Sequence, residues 1–212
     1  MDDVTGKRRK LVENDLVRMN LPRRFWEARL SMVTDEKNPD GTSLKDLLLK
    51  YLENFDAMMQ RGAGLLLWGK NGLGKTGAAA VMAKESRRRA KSVLFMTASE
   101  YLEAIITKAK FDAQMSFIDR AKTVDVLVVD DFGKEHKDQK GWGERQFEDL
   151  IRYRSANMKA TIFTMNVPMS TFAKMAMPSM VQVLKECSYP FEVVGPDRRE
   201  EGQSEIERIL AV

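Results

Sequence analysis

Cysteine and histidine are nearly absent from this 212-residue chain, which contains one of each, Cys187 and His136. A single cysteine cannot form an intrachain disulfide, and one cysteine with one histidine cannot supply the ligand set of a structural zinc site. We therefore expect no structural metal. The hydrophobic fraction of 43% is sufficient for a folded core without such a cross-link.

Long apolar runs are also missing, because no stretch approaches the roughly 20 apolar residues of a membrane-spanning helix. The first ten residues, MDDVTGKRRK, lead into an amphipathic segment and not into the apolar core of an export signal. These absences predict a cytoplasmic protein with no membrane association. The charge excess is small, with 35 basic and 31 acidic residues, so it is compatible with a nucleic-acid partner without indicating one.

Turn residues and hydrophobic periodicity divide the chain into one core with short ends. Residues 1–20 are predicted to form a short helical extension, 21–200 the core and 201–212 a tail. Within the core, residues 21–60 comprise a linker and an amphipathic helix. Ser43 and Asp46 form a capping box, and the apolar residues that follow recur with helical spacing, which predicts a helix of about 16 residues.

Five short apolar runs alternate with helical segments over residues 61–200. The runs that we interpret as buried strands are GLLLWG at 64–69, SVLFMTA at 92–98, VDVLVVDD at 124–131, ATIFTMN at 160–166 and FEVV at 191–194. Helices are predicted from Thr76, over 100–120 and over 144–157. Continuous apolar strands that alternate with helices are typical of a mostly parallel sheet covered on both faces. The predicted fold is an α/β three-layer sandwich.

A glycine-rich segment lies between the first predicted strand and its helix. It matches the P-loop pattern and consists of Gly69, Lys70, Asn71, Gly72, Leu73, Gly74, Lys75 and Thr76, followed by Gly77. The loop NH groups and the helix N-terminus are predicted to bind the β-phosphate of ATP. Lys75 would reach the β- and γ-phosphate oxygens, and Thr76 would ligate Mg²⁺. A glycine turn that merely links strand to helix is the alternative.

Two acidic residues, Asp130 and Asp131, end the third apolar run. A P-loop enzyme needs a carboxylate at the end of a neighbouring buried strand to hold the Mg²⁺ shell, and Asp130 is predicted to do so through water. Asp131 is predicted to orient or deprotonate the attacking water, with Glu135 as a further candidate. The alternative is that two acids simply end a strand at the surface.

Asn166 follows the fourth predicted strand, two residues before Pro168. Ligands of open α/β sheets bind at the carboxyl ends of the strands. Asn166 is therefore predicted to hydrogen-bond the γ-phosphate or the attacking water. A role in the turn before Pro168 is the alternative.

Taken in order, these motifs resemble those of the AAA+ ATPases of the DnaC, DnaI and IstB group. The resemblance runs from about Leu21 to Arg199 and rests on LPRRFWEARL, GLLLWGKNGLGKT, VLVVDDFGKE, YRSANMKATIFTMN and VVGPDRR. It implies a P-loop NTPase of the AAA+ (ASCE) type, an oligomeric ATP switch that acts on a DNA-associated machine. It also implies a sensor-1 role for Asn166 and a sensor-2 or phosphate-contacting role for Arg199 or its neighbour Arg198.

Two features depart from that group. Residues 178–186 contain Lys185 as their only cation, where the group usually has an arginine that reaches the ATP of a neighbouring subunit. Helicase loaders also usually carry a separate domain before the ATPase core, whereas here only the short N-terminal extension is predicted before it. Contact with a helicase is therefore expected to use the short N-terminal helix or the core surface.

Three functions fit these observations. The leading one is a DnaC-like helicase loader or related replication accessory ATPase, with a replicative helicase, single-stranded DNA and further copies of itself as partners. An IstB-like transposition helper that assembles on duplex DNA is the second, and an ATP-binding interaction module with little hydrolysis is the third. Lys108 and Lys110 are candidate DNA contacts. A small-molecule kinase is disfavoured, because the sequence offers neither an acceptor pocket nor an arginine-rich lid.

Overall fold

A five-stranded parallel sheet forms the centre of the computed structural model, which describes residues 9–107, 112–133, 141–198, 207, 208 and 210. The strands are β1 (Gly64–Trp68), β2 (Val93–Thr97), β3 (Val126–Phe132), β4 (Ala160–Met165) and β5 (Ser188–Glu192). Their spatial order is β2-β3-β4-β1-β5, and each neighbouring pair is parallel. The carboxyl ends of β1, β3 and β4 therefore meet at one edge of the sheet.

Helices cover both faces of the sheet. They are α1 (Glu13–Arg18), α2 (Leu44–Glu53), α3 (Phe55–Gln60), α4 (Lys75–Arg88), α5 (Ala98–Thr107), α6 (Asp112–Thr123), α7 (Trp142–Ala156), α8 (Met169–Met175) and α9 (Pro178–Cys187), with single 3₁₀ turns at Arg23–Phe25 and Leu30–Met32. No helix within the described ranges is both long enough and apolar enough to cross a bilayer.

Alternate side chains along the strands contribute to two hydrophobic cores, one on each face of the sheet. Leu65 and Leu67 of β1 are buried in one cluster with α2, α3 and α4, whereas Leu66 lies in a second cluster with α5 to α9. Successive strand side chains point to opposite faces, so each face of the sheet buries its own apolar set. The predicted α/β sandwich with helices on both faces is confirmed.

Several element boundaries differ from the sequence prediction. The helix predicted after Ser43 is two helices, because Asn54 leaves helical geometry and its side-chain amide donates to the Lys50 carbonyl (2.9 Å), although the capping box is present as predicted. Of the helix predicted over 100–120, the structure describes α5 up to Thr107 and α6 from Asp112. The last strand begins at Ser188 and includes Pro190, which an edge strand tolerates.

The segment before the first 3₁₀ turn packs on the open edge of the sheet at β2. The Phe95 amide donates to the Met19 carbonyl (2.7 Å), and the Asn20 side chain donates to the Phe95 carbonyl (3.1 Å). Asp15 of α1 accepts from Arg9 and Arg87, which ties α1 to the end of α4. The N-terminal residues that the structure describes therefore pair with backbone groups that β2 would otherwise expose.

Arg154 of α7 connects the end of α6 and the residues before β3 to the start of β4. Its guanidinium is fully buried and donates to Thr161 Oγ1 and to the carbonyl oxygens of Ala121, Lys122, Val124 and Ala160. Burial lowers the pKa of Arg154 to about 9, so this side chain keeps its proton at neutral pH. One side chain thereby fixes the ends of α6 and α7 against the start of β4.

Candidate nucleotide-binding site

The P-loop joins β1 to α4 in a conformation that its glycines make possible. Gly69, Gly72 and Gly74 have positive φ angles of 146°, 81° and 86°, which side-chain-bearing residues rarely adopt. Helix α4 begins at Lys75 with no side-chain cap on its N-terminus. The first-turn NH groups, together with the positive end of the helix, therefore form the kind of site that binds a phosphate group.

Lys75 lies against the loop that precedes it. Its side chain is buried, and Nζ donates to the carbonyl oxygens of Gly69 (2.8 Å) and Lys70 (2.6 Å). Both acceptors belong to the P-loop, so the ammonium group is held at the centre of the glycine-rich segment. A phosphate oxygen bound there would have a positive charge beside it.

Asp130 accepts hydrogen bonds from two threonines at the carboxyl edge of the sheet. Thr76 Oγ1 of α4 and Thr164 Oγ1 of β4 donate to Asp130 Oδ1 at 2.8 Å and 2.5 Å. Burial raises the pKa of Asp130, while these two hydrogen bonds and the positive charge of Arg24 act in the opposite direction. The sequence reasoning assigned no role to Thr164, and its place one residue before the end of β4 is the signal that could have indicated one.

The donor set beside the P-loop fits a magnesium ion that arrives with a nucleotide. Thr76 and Asp130 offer one hydroxyl and one carboxylate, which are hard oxygen ligands of the kind that Mg²⁺ prefers. Within the described ranges, no group of three or more acidic, histidine or cysteine side chains could hold a metal without further ligands. Phosphate and water oxygens would have to complete the coordination shell, as is usual for Mg²⁺.

Asp131 and Asn166 form a second polar pair at the same edge. Asn166 Nδ2 donates to Asp131 Oδ1 (2.6 Å), and the Asp131 amide donates to Thr164 Oγ1 (3.0 Å). Asp131 has a φ of 57°, and the register between β3 and β4 shifts between Val129 and Phe132. The backbone of Asp131 thus departs from that of a regular strand at the point where its side chain contacts Asn166. Both residues line the same cleft as Lys75, Thr76 and Asp130.

The cleft has a volume of about 460 Å³, and its second wall comes from the linker. Linker residues that line it are Arg24, Phe25, Glu27, Ala28, Arg29, Met32 and Val33. Lys84 of α4 holds this wall, because Nζ donates to the carbonyl oxygens of Trp26 and, at 2.8 Å, Ala28. The sequence analysis described a linker but placed no site residue in it. The aromatic pair within LPRRFWEARL was the available signal.

The segment after β5 reaches the P-loop. The Arg198 amide donates to the Gly72 carbonyl (3.0 Å), and the Arg198 guanidinium donates to the Met32 carbonyl of the linker. A Cβ on Gly72 would lie 1.8 Å from Asp197 Oδ1, so the close approach of this segment to the P-loop requires glycine at position 72. Arg198 therefore joins the P-loop and the linker.

Several predicted residues lie elsewhere. Arg199, Glu135, Lys108, Lys110 and His136, with most of the predicted tail, fall outside the described residues. Lys185 is exposed on α9 and does not line the cleft.

Comparison with known proteins identifies the family of the chain. The family model described as "IstB-like ATP binding protein" matches residues 28–182, which is most of the chain. The chain belongs to the IstB-like ATP-binding family. The matched range contains the P-loop, Asp130, Asp131 and Asn166, and it ends before Arg198.

Two solved structures resemble this IstB-like protein over most of both chains. A DnaI structure is 26% identical with a TM-score of 0.67, and the match covers 84% of this chain and 94% of the chain in that structure. A structure of the DnaC helicase loader is 22% identical with a TM-score of 0.69, covering 82% of this chain and all of the DnaC structure (100%). The second similarity concerns the fold alone.

A third similarity is confined to part of a larger protein. The chromosomal replication initiator DnaA of Helicobacter hepaticus is 34% identical over 67 residues, which are 32% of this chain and 15% of DnaA. The IstB-like protein thus aligns with a small part of that relative.

Proposed function

We propose that this IstB-like protein is a DnaC-like helicase loader or a related replication accessory ATPase. The observation that carries the proposal is the similarity to a DnaI structure over 84% of this chain and 94% of the DnaI chain, at 26% identity. In addition, the structure named as the DnaC helicase loader has the same fold over its full length. The partners that this function requires are a replicative helicase, single-stranded DNA and further copies of the chain.

The residues at the carboxyl edge of the sheet supply the groups that ATP hydrolysis needs. Lys75 would neutralise charge on the β- and γ-phosphates, and Thr76 with Asp130 would hold Mg²⁺, with Asp130 acting through water. The metal, when bound, offsets the charge that develops on the phosphate oxygens. Asp131 would orient the attacking water, and its 2.6 Å contact with Asn166 would fix the carboxylate in position.

Three separate segments line one cleft, and this suggests how ATP would act as a switch. The P-loop, the linker and the segment after β5 are joined there by the contacts of Arg198 with Gly72 and Met32. A nucleotide that touches all three would favour one arrangement of them, and loss of the γ-phosphate would remove part of that preference. Self-association and helicase contact would follow the nucleotide state. Arg198, with Arg199, is the proposed phosphate-contacting cation of this segment.

The test is a helicase-loading assay with single-stranded DNA, a replicative helicase and ATP. We expect the wild-type protein to promote or alter loading and Lys75→Ala to lose this effect. Lys50→Ala, which replaces an exposed lysine on α2 outside the cleft, should behave as wild type.

Other outcomes would replace the proposal. No effect on any helicase, together with ATP-dependent assembly on duplex DNA, would indicate a transposition helper instead. ATP binding without turnover under every condition would indicate a nucleotide-binding interaction module.

A further inference from the structure

Arg24 lies between two openings on the surface of the protein. One is the nucleotide cleft, and the other is a neighbouring cleft of about 410 Å³ whose lining includes Leu21, Phe95 and Thr97. Arg24 and Asp130 are the two residues that line both openings. Arg24 thus lies on the linker side of the cleft, at the same end as Asp130.

The backbone around Arg24 is fixed from both sides. Before it, the Met19 carbonyl accepts from the Phe95 amide of β2 (2.7 Å). After it, Lys84 donates to the carbonyl oxygens of Trp26 and Ala28, and the Trp26 indole donates to the Leu21 carbonyl (2.9 Å). A short 3₁₀ turn held at both ends fixes the backbone of Arg24 beside the cleft.

The guanidinium group of Arg24 is placed for an external anion. It stacks on the Phe25 ring at 4.5 Å and forms no ion pair with the residues that the structure describes. Two other cations of the cleft differ in this respect, because Arg29 pairs with Glu27 (3.1 Å) and Arg198 donates to the Met32 carbonyl. The side chain of Arg24 is exposed, so it can turn toward a ligand at little cost.

We propose that Arg24 contacts the terminal phosphate of a bound nucleoside triphosphate from the linker side of the cleft, within the same chain. The proposal rests on the ATP-dependent function given above. Bound ATP brings its terminal phosphate to the end of the cleft where Asp130 lies, because Thr76 and Asp130 are the candidate Mg²⁺ ligands. A guanidinium at that end can donate two parallel hydrogen bonds to phosphate oxygens. ADP lacks these oxygens, so Arg24 distinguishes ATP from ADP.

The experiment measures the affinity for a non-hydrolysable ATP analogue and for ADP, each with Mg²⁺, by calorimetry. Arg24→Ala should lower the ratio of analogue affinity to ADP affinity about ten-fold, with little change for ADP. Arg24→Lys keeps the charge without the planar guanidinium, so its affinity ratio should lie between those of the wild-type protein and Arg24→Ala. Arg23→Ala is the matched control, because Arg23 belongs to the same 3₁₀ turn but lines neither cleft.

An unchanged affinity ratio in Arg24→Ala would overturn the proposal, as would an equal loss of affinity for both nucleotides. Equal binding of the analogue and ADP by the wild-type protein, or no binding of either, would overturn it as well. Failure of the proposed ATPase function is a separate result, because the affinity ratio does not require turnover. A thermal melt of each variant shows whether the fold is retained.

Discussion

The two walls of the nucleotide cleft are built in different ways. The strand-edge wall consists of Lys75 and Thr76 at the start of α4 and of Asp130, Asp131 and Asn166 at the carboxyl ends of β3 and β4. These side chains hydrogen-bond to one another or to the P-loop. The linker wall, residues 24–33, has no regular strand and is held through its carbonyl oxygens by Lys84 and Arg198. Side-chain identity therefore defines the first wall, whereas tertiary contacts with the backbone define the second.

The largest expected effect is a loss of stability on substitution of Arg154, because this side chain holds β4, one of the strands that end at the strand-edge wall. Arg154→Ala would remove the guanidinium donor from Thr161 Oγ1 and from four carbonyl oxygens, three of them in buried contacts. We expect a loss of about 3–5 kcal/mol in the free energy of unfolding, because buried polar groups would be unpaired. Urea denaturation measures this. An unchanged midpoint urea concentration in Arg154→Ala would contradict the conclusion that the guanidinium joins α7 to β4.

Asp130→Asn tests the strand-edge wall itself. We expect turnover to fall about 10- to 100-fold, because the amide is a poor partner for the Mg²⁺ shell. Burial raises the folded-state pKa of Asp130, so its ionised form costs stability at pH 7. The nucleotide-free variant should therefore melt above wild type at pH 7, and this advantage should vanish below the ordinary pKa of aspartate. Unchanged turnover would contradict the proposed role.

Asp15→Asn tests how firmly the segment before the linker is attached. Burial alone would raise the pKa of Asp15, but hydrogen bonds from Arg9, the Val12 amide and Arg87 outweigh it and lower the pKa to about 2. The ionised carboxylate of Asp15 thus stabilises the fold above pH 4, and this contribution is lost as the pH falls toward 2. Melting curves at pH 7 and pH 2 should show a large difference between variant and wild type only at pH 7.

Lys84→Met tests the linker wall with the smallest expected effect. It removes the donor to the Trp26 and Ala28 carbonyl oxygens but leaves the P-loop unchanged. We expect ATP affinity to fall about 3- to 10-fold, equivalent to the loss of about one hydrogen bond. Lys50→Met is the control. If Lys84→Met lowered ATP affinity as much as a P-loop substitution does, the two walls would not contribute independently to ATP binding.

The strand-edge wall was largely predictable because its signals are local. A P-loop between strand and helix, and polar residues at strand ends, place Lys75, Asp130 and Asn166 at one edge once the strands are known to be parallel. Thr164 was overlooked because a threonine inside an apolar run also fits an ordinary β-strand. Its bond to Asp130 depends on β3 and β4 being neighbours, which spacing along the chain does not reveal.

The linker wall could not be predicted from local pattern. Its position depends on contacts such as Lys84 with Trp26, which join residues 58 positions apart. Helices α8 and α9 were also absent from the prediction, although Pro178 at the start of α9 is a usual helix-initiating residue. The break at Asn54 was missed for a related reason, since helical periodicity continues across it while a side-chain hydrogen bond interrupts the helix.

The most direct test of the account is the affinity for Mg²⁺–ATP of the wild-type protein, Lys75→Ala and the control Lys50→Ala, measured by calorimetry. We expect the wild-type protein and the control to bind alike, and Lys75→Ala to bind about 100-fold more weakly, because Lys75 places a positive charge at the phosphate site. Equal binding by all three would contradict the claim that ATP occupies the cleft between the two walls.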